Sequence, residues 1–243
     1  MIPSIVYEWA KSWPRKQYNY ISPSSLGRCM RAHYFSIKGV EQTTPPNPGA
    51  LLNFELGRLW EQPVEKALQS AGIPFISQLK LTDDEYGVSG TLDLAIFDPE
   101  DDHWELVSIK TEGAMKAKYR ARQGQSFFQA NPEYAIQEAC YKWLMERNGF
   151  KVKDTAKYLV ITKDNGLLDE PVLAFSPKLE AATLQRIKKL RKHLGDDTLP
   201  DCTCEGWLVN YCNWGDPDSI EENKTGKMVP TACCSEELIK ETE

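Results

Sequence analysis

The sequence predicts an α/β protein built on a central mixed sheet flanked by helices. Three observations carry that reading. Strand-like segments follow one another at about residues 74–81, 86–97 and 104–111, the last two joined by the turn DPEDDH, which makes an antiparallel meander. Residues 132–148 form a helix, with Pro132 in its first turn and Gly149 beyond its end. After that helix come a buried strand, KYLVITK at 157–163, and a further strand, PVLAFS at 171–176.

Helices precede the meander. SPSSLGRCMRAHYFSIKG carries Ser/Pro start signals, apolar helical spacing and a glycine stop, so a helix is expected over about 23–37. VEQTTPPNPGA breaks it with prolines. A second helix is expected over about 50–71, with Leu52, Leu56, Leu59, Trp60, Val64, Ala67 and Leu68 on one broad stripe and Pro63 as a kink point. GAMKAKYRARQGQSFFQANPE is polar and basic and reads as a mobile loop or a weak helix. LEAATLQRIKKLRKHLG reads as an amphipathic helix ending at Gly195. From Pro200 onward periodicity is lost while cysteine, tryptophan and glycine accumulate. The expected organisation is therefore a core over residues 1–199 and a Cys-rich segment over 200–243 held by ligands rather than by packing.

Composition bounds the functional classes. A chain of 243 residues, 41% hydrophobic and 26% charged, is long enough for one substantial core. It has no run of about 18 apolar residues, and its start lacks the basic-then-apolar order of a secretory signal, so a cytoplasmic protein without a membrane partner is expected. A net charge of −6 excludes an all-over cationic coat but leaves room for a local basic channel. Lys116, Lys118, Arg120 and Arg122 are one cluster, and Arg186, Lys188, Lys189, Arg191 and Lys192 another. A charge run is more commonly a solvated face. The first cluster is the better nucleic-acid candidate because it adjoins the chemistry described next.

In GVSGTLDLAIFDPEDDHWELVSIKTEG, residues 87–113, an acid stands near the end of one strand (Asp93) and a lysine near the end of the next (Lys110). Side chains alternate along a strand, so Ser108 and Lys110 share a face while Glu105, Val107 and Ile109 take the other. Asp93 can then meet Lys110 from the neighbouring strand. Phosphodiester hydrolysis uses a hard cation on carboxylate oxygens, with a lysine beside it to orient the nucleophile or stabilise developing charge. An acid and a lysine on adjacent strands can equally be a plain cross-strand pair.

Glu61 on the long helix, and Gln137 with Tyr141 one helical turn apart, extend the pattern. The order Gly57 to Glu61, Gly90 to Asp93, Ser108-Ile109-Lys110-Thr111 and Gln137 to Tyr141 resembles the PD-(D/E)XK nuclease superfamily, of the RecB and lambda-exonuclease (YqaJ-like) type. The resemblance covers residues 57–141 and implies a restriction-endonuclease-like core. It implies that Asp93 is the central ligand of Mg2+ or Mn2+, that Glu61 is a metal-binding acid or one standing just behind the ligands, and that Lys110 assists the attacking water. Gln137 and Tyr141 would contact the DNA backbone.

Ser108 departs from the pattern, which has Asp or Glu there; a neutral hydroxyl is a poor Mg2+ ligand beside a carboxylate. Three explanations stand side by side. Glu112, which shares face parity with Ser108 if the strand extends that far, or Glu61 completes the site. The serine is an introduced, inactivating substitution. Or the chain keeps a nuclease fold only to bind DNA.

Seven cysteines in a chain of this kind read as thiols or metal ligands rather than a disulfide framework. The segment around Cys29 also resembles the entry motif of iron–sulfur nucleases in the same clan, such as CRISPR-associated RecB-like exonucleases. That resemblance implies a [4Fe-4S] cluster held by Cys29 with Cys202, Cys204 and Cys212. Zn2+ is the alternative, since four thiolates suit either. The spacing C-x-C-x7-C departs from that of the relatives, and Cys233 or Cys234 could replace Cys202 or Cys204. Cys140, among apolar helix neighbours, reads as a buried thiol. The function expected is a metal-dependent DNA exonuclease serving recombination, repair or phage DNA processing, acting on single strands or duplex ends, with room for a recombination partner protein or self-association. The alternative is a catalytically silent DNA-binding or assembly module.

Overall fold

A computed structural model describes residues 1–13, 18–202 and 212–215. In chain order its helices and strands are α1 (Ile2–Lys11), α2 (Pro23–Leu26), α3 (Met30–Lys38), α4 (Pro48–Arg58), α5 (Glu61–Ser70), β1 (Phe75–Asp83), β2 (Val88–Asp98), β3 (His103–Glu112), α6 (Ala114–Arg122), α7 (Phe127–Ala130), α8 (Pro132–Arg147), β4 (Val152–Thr162), β5 (Leu168–Asp169), β6 (Val172–Ala174) and α9 (Pro177–Asp196). The described residues form two compact units: Ser22–Gly27 with Phe54–Ile187, and residues 1–13, 18–21, 28–53, 188–202 and 212–215. No helix among the described residues is long and apolar enough to cross a membrane.

The first unit holds the mixed sheet, ordered β1-β2-β3-β4-β5 with β6 also on β4. β1, β2 and β3 are an antiparallel meander, whereas β3 and β4 run parallel, with Ser108 opposite Tyr158 and Lys110 opposite Val160. A parallel pair cannot be closed by a hairpin, and the crossover here is the α6–α8 segment. Leu92, Leu94, Leu106 and Ile161 are fully buried on the sheet, while α8 buries Ala139, Cys140, Leu144 and Met145. Gly90 lets α2 and α8 close on β2: a Cβ there would lie 2.8 Å from Pro23 Cδ and 3.0 Å from Tyr141 Cε1.

The second unit ties α3 and the chain after it to residues 197–200 and 212–215. Tyr34 donates to Asp197 at 3.0 Å, Arg31 to the Pro200 carbonyl at 2.7 Å and Trp214 to the Val40 carbonyl at 3.1 Å. The Trp214 indole also packs against Phe35, ring centroids 6.0 Å apart.

Several elements differ from expectation. The helix expected over 23–37 is two, α2 and α3, because Cys29 adopts an extended ψ of 125° and restarts the chain. The helix expected over 50–71 is also two. Pro63 does not kink it; it stands in the first turn of α5, where its missing N–H costs nothing. The expected stripe is not buried: neither α4 nor α5 has a buried residue, and Leu56 and Leu59 are 49% and 61% exposed. The basic segment after β3 is helical, as α6 and α7, and the Ser126 and Gln129 side chains close a capping box on α7.

Candidate active site

The β2–β3 ladder ends at the pair Leu94–Val107, and Asp93 and Ser108 are the residues immediately beyond it. On the far side of β2 the pairing with β1 skips one step: Ser77 faces Leu94 and Leu79 faces Leu92. The residue left between them, Gln78, has a left-handed φ of 51°, which a non-glycine residue adopts only at a cost. Its amide donates to Glu61 Oε2 at 3.1 Å. Irregular backbone thus carries α5's acid toward the strand that bears Asp93.

Lys110 Nζ lies 3.7 Å from Asp93 Oδ2. Its ammonium is also held over the rings of Tyr134 and Tyr158, at 5.4 and 6.0 Å from their centroids. Partial burial and then the nearby Asp93 charge raise the proton affinity of Glu61. An acid whose proton affinity is raised by a neighbouring carboxylate is a natural seat for a cation.

Beneath this pair is a residue the sequence motifs do not include. Ser108 Oγ donates at 2.6 Å to Oε1 of Glu138, from α8, and both side chains are buried, at 1% and 0% exposure. The Tyr158 hydroxyl lies 3.1 Å from the same Oε1 and 2.9 Å from the Tyr134 carbonyl oxygen. Glu138 Oε2 is buried and has no hydrogen-bond partner. Burial pushes this carboxyl up to about 7, against the opposing pull of Ser108 and the Lys110 charge. A signal for it was present in the sequence. Tyr134, Glu138, Tyr141 and Met145 follow helical spacing, so an acid stands on a stripe that faces the core.

The other expected site residues are placed as follows. Glu112 lies within β3 and shares the parity of Lys110, but its Oε1 receives a 2.8 Å hydrogen bond from Arg120, so Arg120 faces inward to an acid. Lys116 donates to Asn131 at 2.7 Å. Lys118 and Arg122 are exposed on α6. Gln137 is buried, and the Tyr141 hydroxyl donates to the Thr91 carbonyl at 2.8 Å, two residues before Asp93. Glu105 takes the opposite face, where Lys157 and Thr155 engage it. In the other unit, Cys29 Sγ is 3.9 Å from Cys202 Sγ, and Cys29 and Cys212 are buried. Cys202 stands in a disulfide. Cys204, Cys233 and Cys234 lie outside the described residues.

Asp93 and Glu61 offer oxygen only, which suits a hard divalent cation rather than a thiophilic one. Among the described residues no three Asp, Glu, His or Cys side chains converge as a ready-made metal cage.

The fold is of a mixed α/β class, a central sheet flanked by helices, with an acid and a lysine where β2 and β3 part. Comparison with solved structures agrees with that class. The chain is similar to an alkaline exonuclease (LHK-Exo) from Laribacter hongkongensis, with TM-score 0.52 and 11% identity over 78% of this chain and 93% of that one. It is similar to LHK-Exo in complex with dAMP, with TM-score 0.52 and 12% identity over 88% and 96%. A crystal structure of SSO0001 aligns with TM-score 0.54 and 16% identity over 88% and 94%. At these identities the likeness is one of fold. No protein-family model and no curated protein matches the sequence.

Proposed function

We propose that this chain is a divalent-metal-dependent deoxyribonuclease acting as an exonuclease. One observation carries the reading: Asp93 and Lys110 meet at 3.7 Å where β2 and β3 part, beside the buried Ser108–Glu138 pair. The fold likeness to an alkaline exonuclease supports it.

Asp93 and Glu61 would hold Mg2+ or Mn2+, which when bound supplies charge neutralisation at the scissile phosphate and an activated water. Lys110, steadied by two aromatic rings, would orient that water and offset charge on the phosphoryl oxygens. Tyr141 braces β2 through Thr91 and so fixes where Asp93 stands. Exposed Lys118 and Arg122 are the members of the basic run best placed to meet a DNA backbone. An apolar cleft of about 400 Å3, lined by Leu56, Leu59, Trp60, Pro63 and Lys163, offers a surface for an unpaired base. The setting suggested is DNA recombination, repair or phage DNA processing.

Cleavage of end-labelled single- and double-stranded DNA in Mg2+, Mn2+ or EDTA tests the reading. Metal-dependent shortening from an end supports it. DNA binding without cleavage favours the silent binding module instead, and cleavage unaffected by EDTA overturns the metal assignment.

The cysteines support a second cofactor. Cys29, Cys202 and Cys212, with Cys204, would hold a [4Fe-4S] cluster, or Zn2+. The support is the 3.9 Å approach of Cys29 to Cys202 and the burial of Cys29 and Cys212. Ligation by Cys202 requires its disulfide to be reduced. Anaerobic purification with iron and zinc analysis decides: iron with broad visible absorption supports the cluster, zinc alone supports the alternative, and neither metal overturns both.

A further inference from the structure

We infer that Glu138 is the second metal-binding carboxylate of this site, supplied from helix α8 in place of the acid that strand β3 lacks at Ser108. The inference rests on the nuclease reading above and deepens it.

Three observations lead there. First, Ser108 and Glu138 are joined directly, by a 2.6 Å hydrogen bond between two fully buried side chains. The hydroxyl that stands where a carboxylate is expected therefore positions one from elsewhere. Second, that bond occupies Oε1 and leaves Oε2 buried and bare. A buried carboxylate is costly unless its charge is paired and its oxygens are satisfied. Third, Glu138 forms no ion pair among the described residues, although Lys110 and Asp93 are close enough to shift its proton affinity in opposite directions. Glu112 also has a buried bare oxygen, but Arg120 already neutralises it at 2.8 Å. Of the two buried acids with β3 contacts, Glu138 is the one whose charge is uncompensated. A divalent cation between it and Asp93 would supply both the missing charge and a partner for Oε2.

A purely structural Glu138, there to hold Ser108 and Tyr158, makes a different prediction. The two are separated by binding of Mn2+ alone, followed by the electron paramagnetic resonance signal of the free ion and by the metal-dependent rise in Tm. The proteins compared are wild type, Asp93→Asn, Glu138→Gln and the swap Ser108→Asp/Glu138→Gln. Glu138→Gln keeps the shape and an acceptor for Ser108 but removes the charge.

The expected result is that Glu138→Gln weakens Mn2+ binding by about tenfold or more, the scale on which disturbed ligand shells lose metal. The swap, which moves the carboxylate back to β3, restores binding. Glu138→Gln with wild-type Mn2+ affinity, alongside an Asp93→Asn that has lost it, overturns the Glu138 assignment and leaves the nuclease reading standing. A wild type that binds no Mn2+, or an Asp93→Asn that binds it normally, overturns the site itself and the assignment with it. If Glu138→Gln does not fold, the swap decides: a folded swap that binds Mn2+ supports the inference, and a folded swap that does not overturns it.

Discussion

Arg120 donates a 2.8 Å hydrogen bond to Glu112, and the two side chains are only 15% and 6% exposed. The guanidinium also lies over the Phe127 ring, 5.5 Å from its centroid. Glu112 thus has a cationic partner of its own, although strand parity places it with Ser108 and Lys110. The same pair removes Arg120 from the set of cations free to meet DNA. Glu112→Ala should cost roughly 3 kcal/mol, because a buried guanidinium loses its counter-charge. Mn2+ affinity should stay at the wild-type value. Urea unfolding and a Mn2+ titration of the same variant check both halves.

Asp93 and Lys110 should separate in their effects. On the proposed reading Asp93→Asn removes a metal ligand, so metal binding and cleavage should fall together. On the same reading Lys110→Met removes the group that would orient the nucleophile, so cleavage should fall by about 100-fold or more while Mn2+ still binds. Single-turnover cleavage at saturating Mn2+, set beside the binding curve, distinguishes the two.

Glu138 should make the metal-free protein less stable as pH rises. Its folded carboxyl titrates at about 7, above the ordinary glutamate value of 4.5. The folded state therefore binds more protons than the unfolded state between those values, and stability falls across that window. The loss should total about 3 kcal/mol, at 1.36 kcal/mol per pKa unit. It is complete above the folded value and absent below the unfolded one. Unfolding in EDTA at pH 4.5 and pH 8 should show a smaller difference for Glu138→Gln than for wild type, and excess Mg2+ at pH 8 should recover much of the wild-type loss.

Gly90→Ala should destabilise the fold by about 1–3 kcal/mol, the usual penalty for an added methyl in a packed core. The new Cβ would meet the Pro23 ring at 2.8 Å and the Tyr141 ring at 3.0 Å, and the proline ring has little freedom to retreat. A lower urea midpoint with an unchanged slope is the expected signature.

The meander was legible because alternation and an acidic turn mark it, and strands β2 and β3 run within a residue or two of their expected spans. The same alternation brought Asp93, Ser108 and Lys110 to one face. What escaped was whatever depends on contact across the chain. Glu138 and Ser108 are thirty positions apart, and no local period announces that they touch. The left-handed backbone at Gln78 escaped for a related reason: glutamine has no intrinsic preference for it, and the ladder around it enforces it. The leucines of α4 and α5 misled in the opposite direction. Their spacing is that of a buried stripe, but in the structure Leu56 and Leu59 face solvent.

The parallel pairing of β3 with β4 has a kinetic consequence. β1, β2 and β3 are joined by short turns and can meet early, which brings Asp93 beside Lys110. Glu138 lies within the crossover of residues 113–151, and β4 must dock across that whole span before Tyr158 can stand beside β3. Such long-range closures are the slow part of folding. A nascent chain would therefore bring Asp93 beside Lys110 well before Glu138 reaches Ser108.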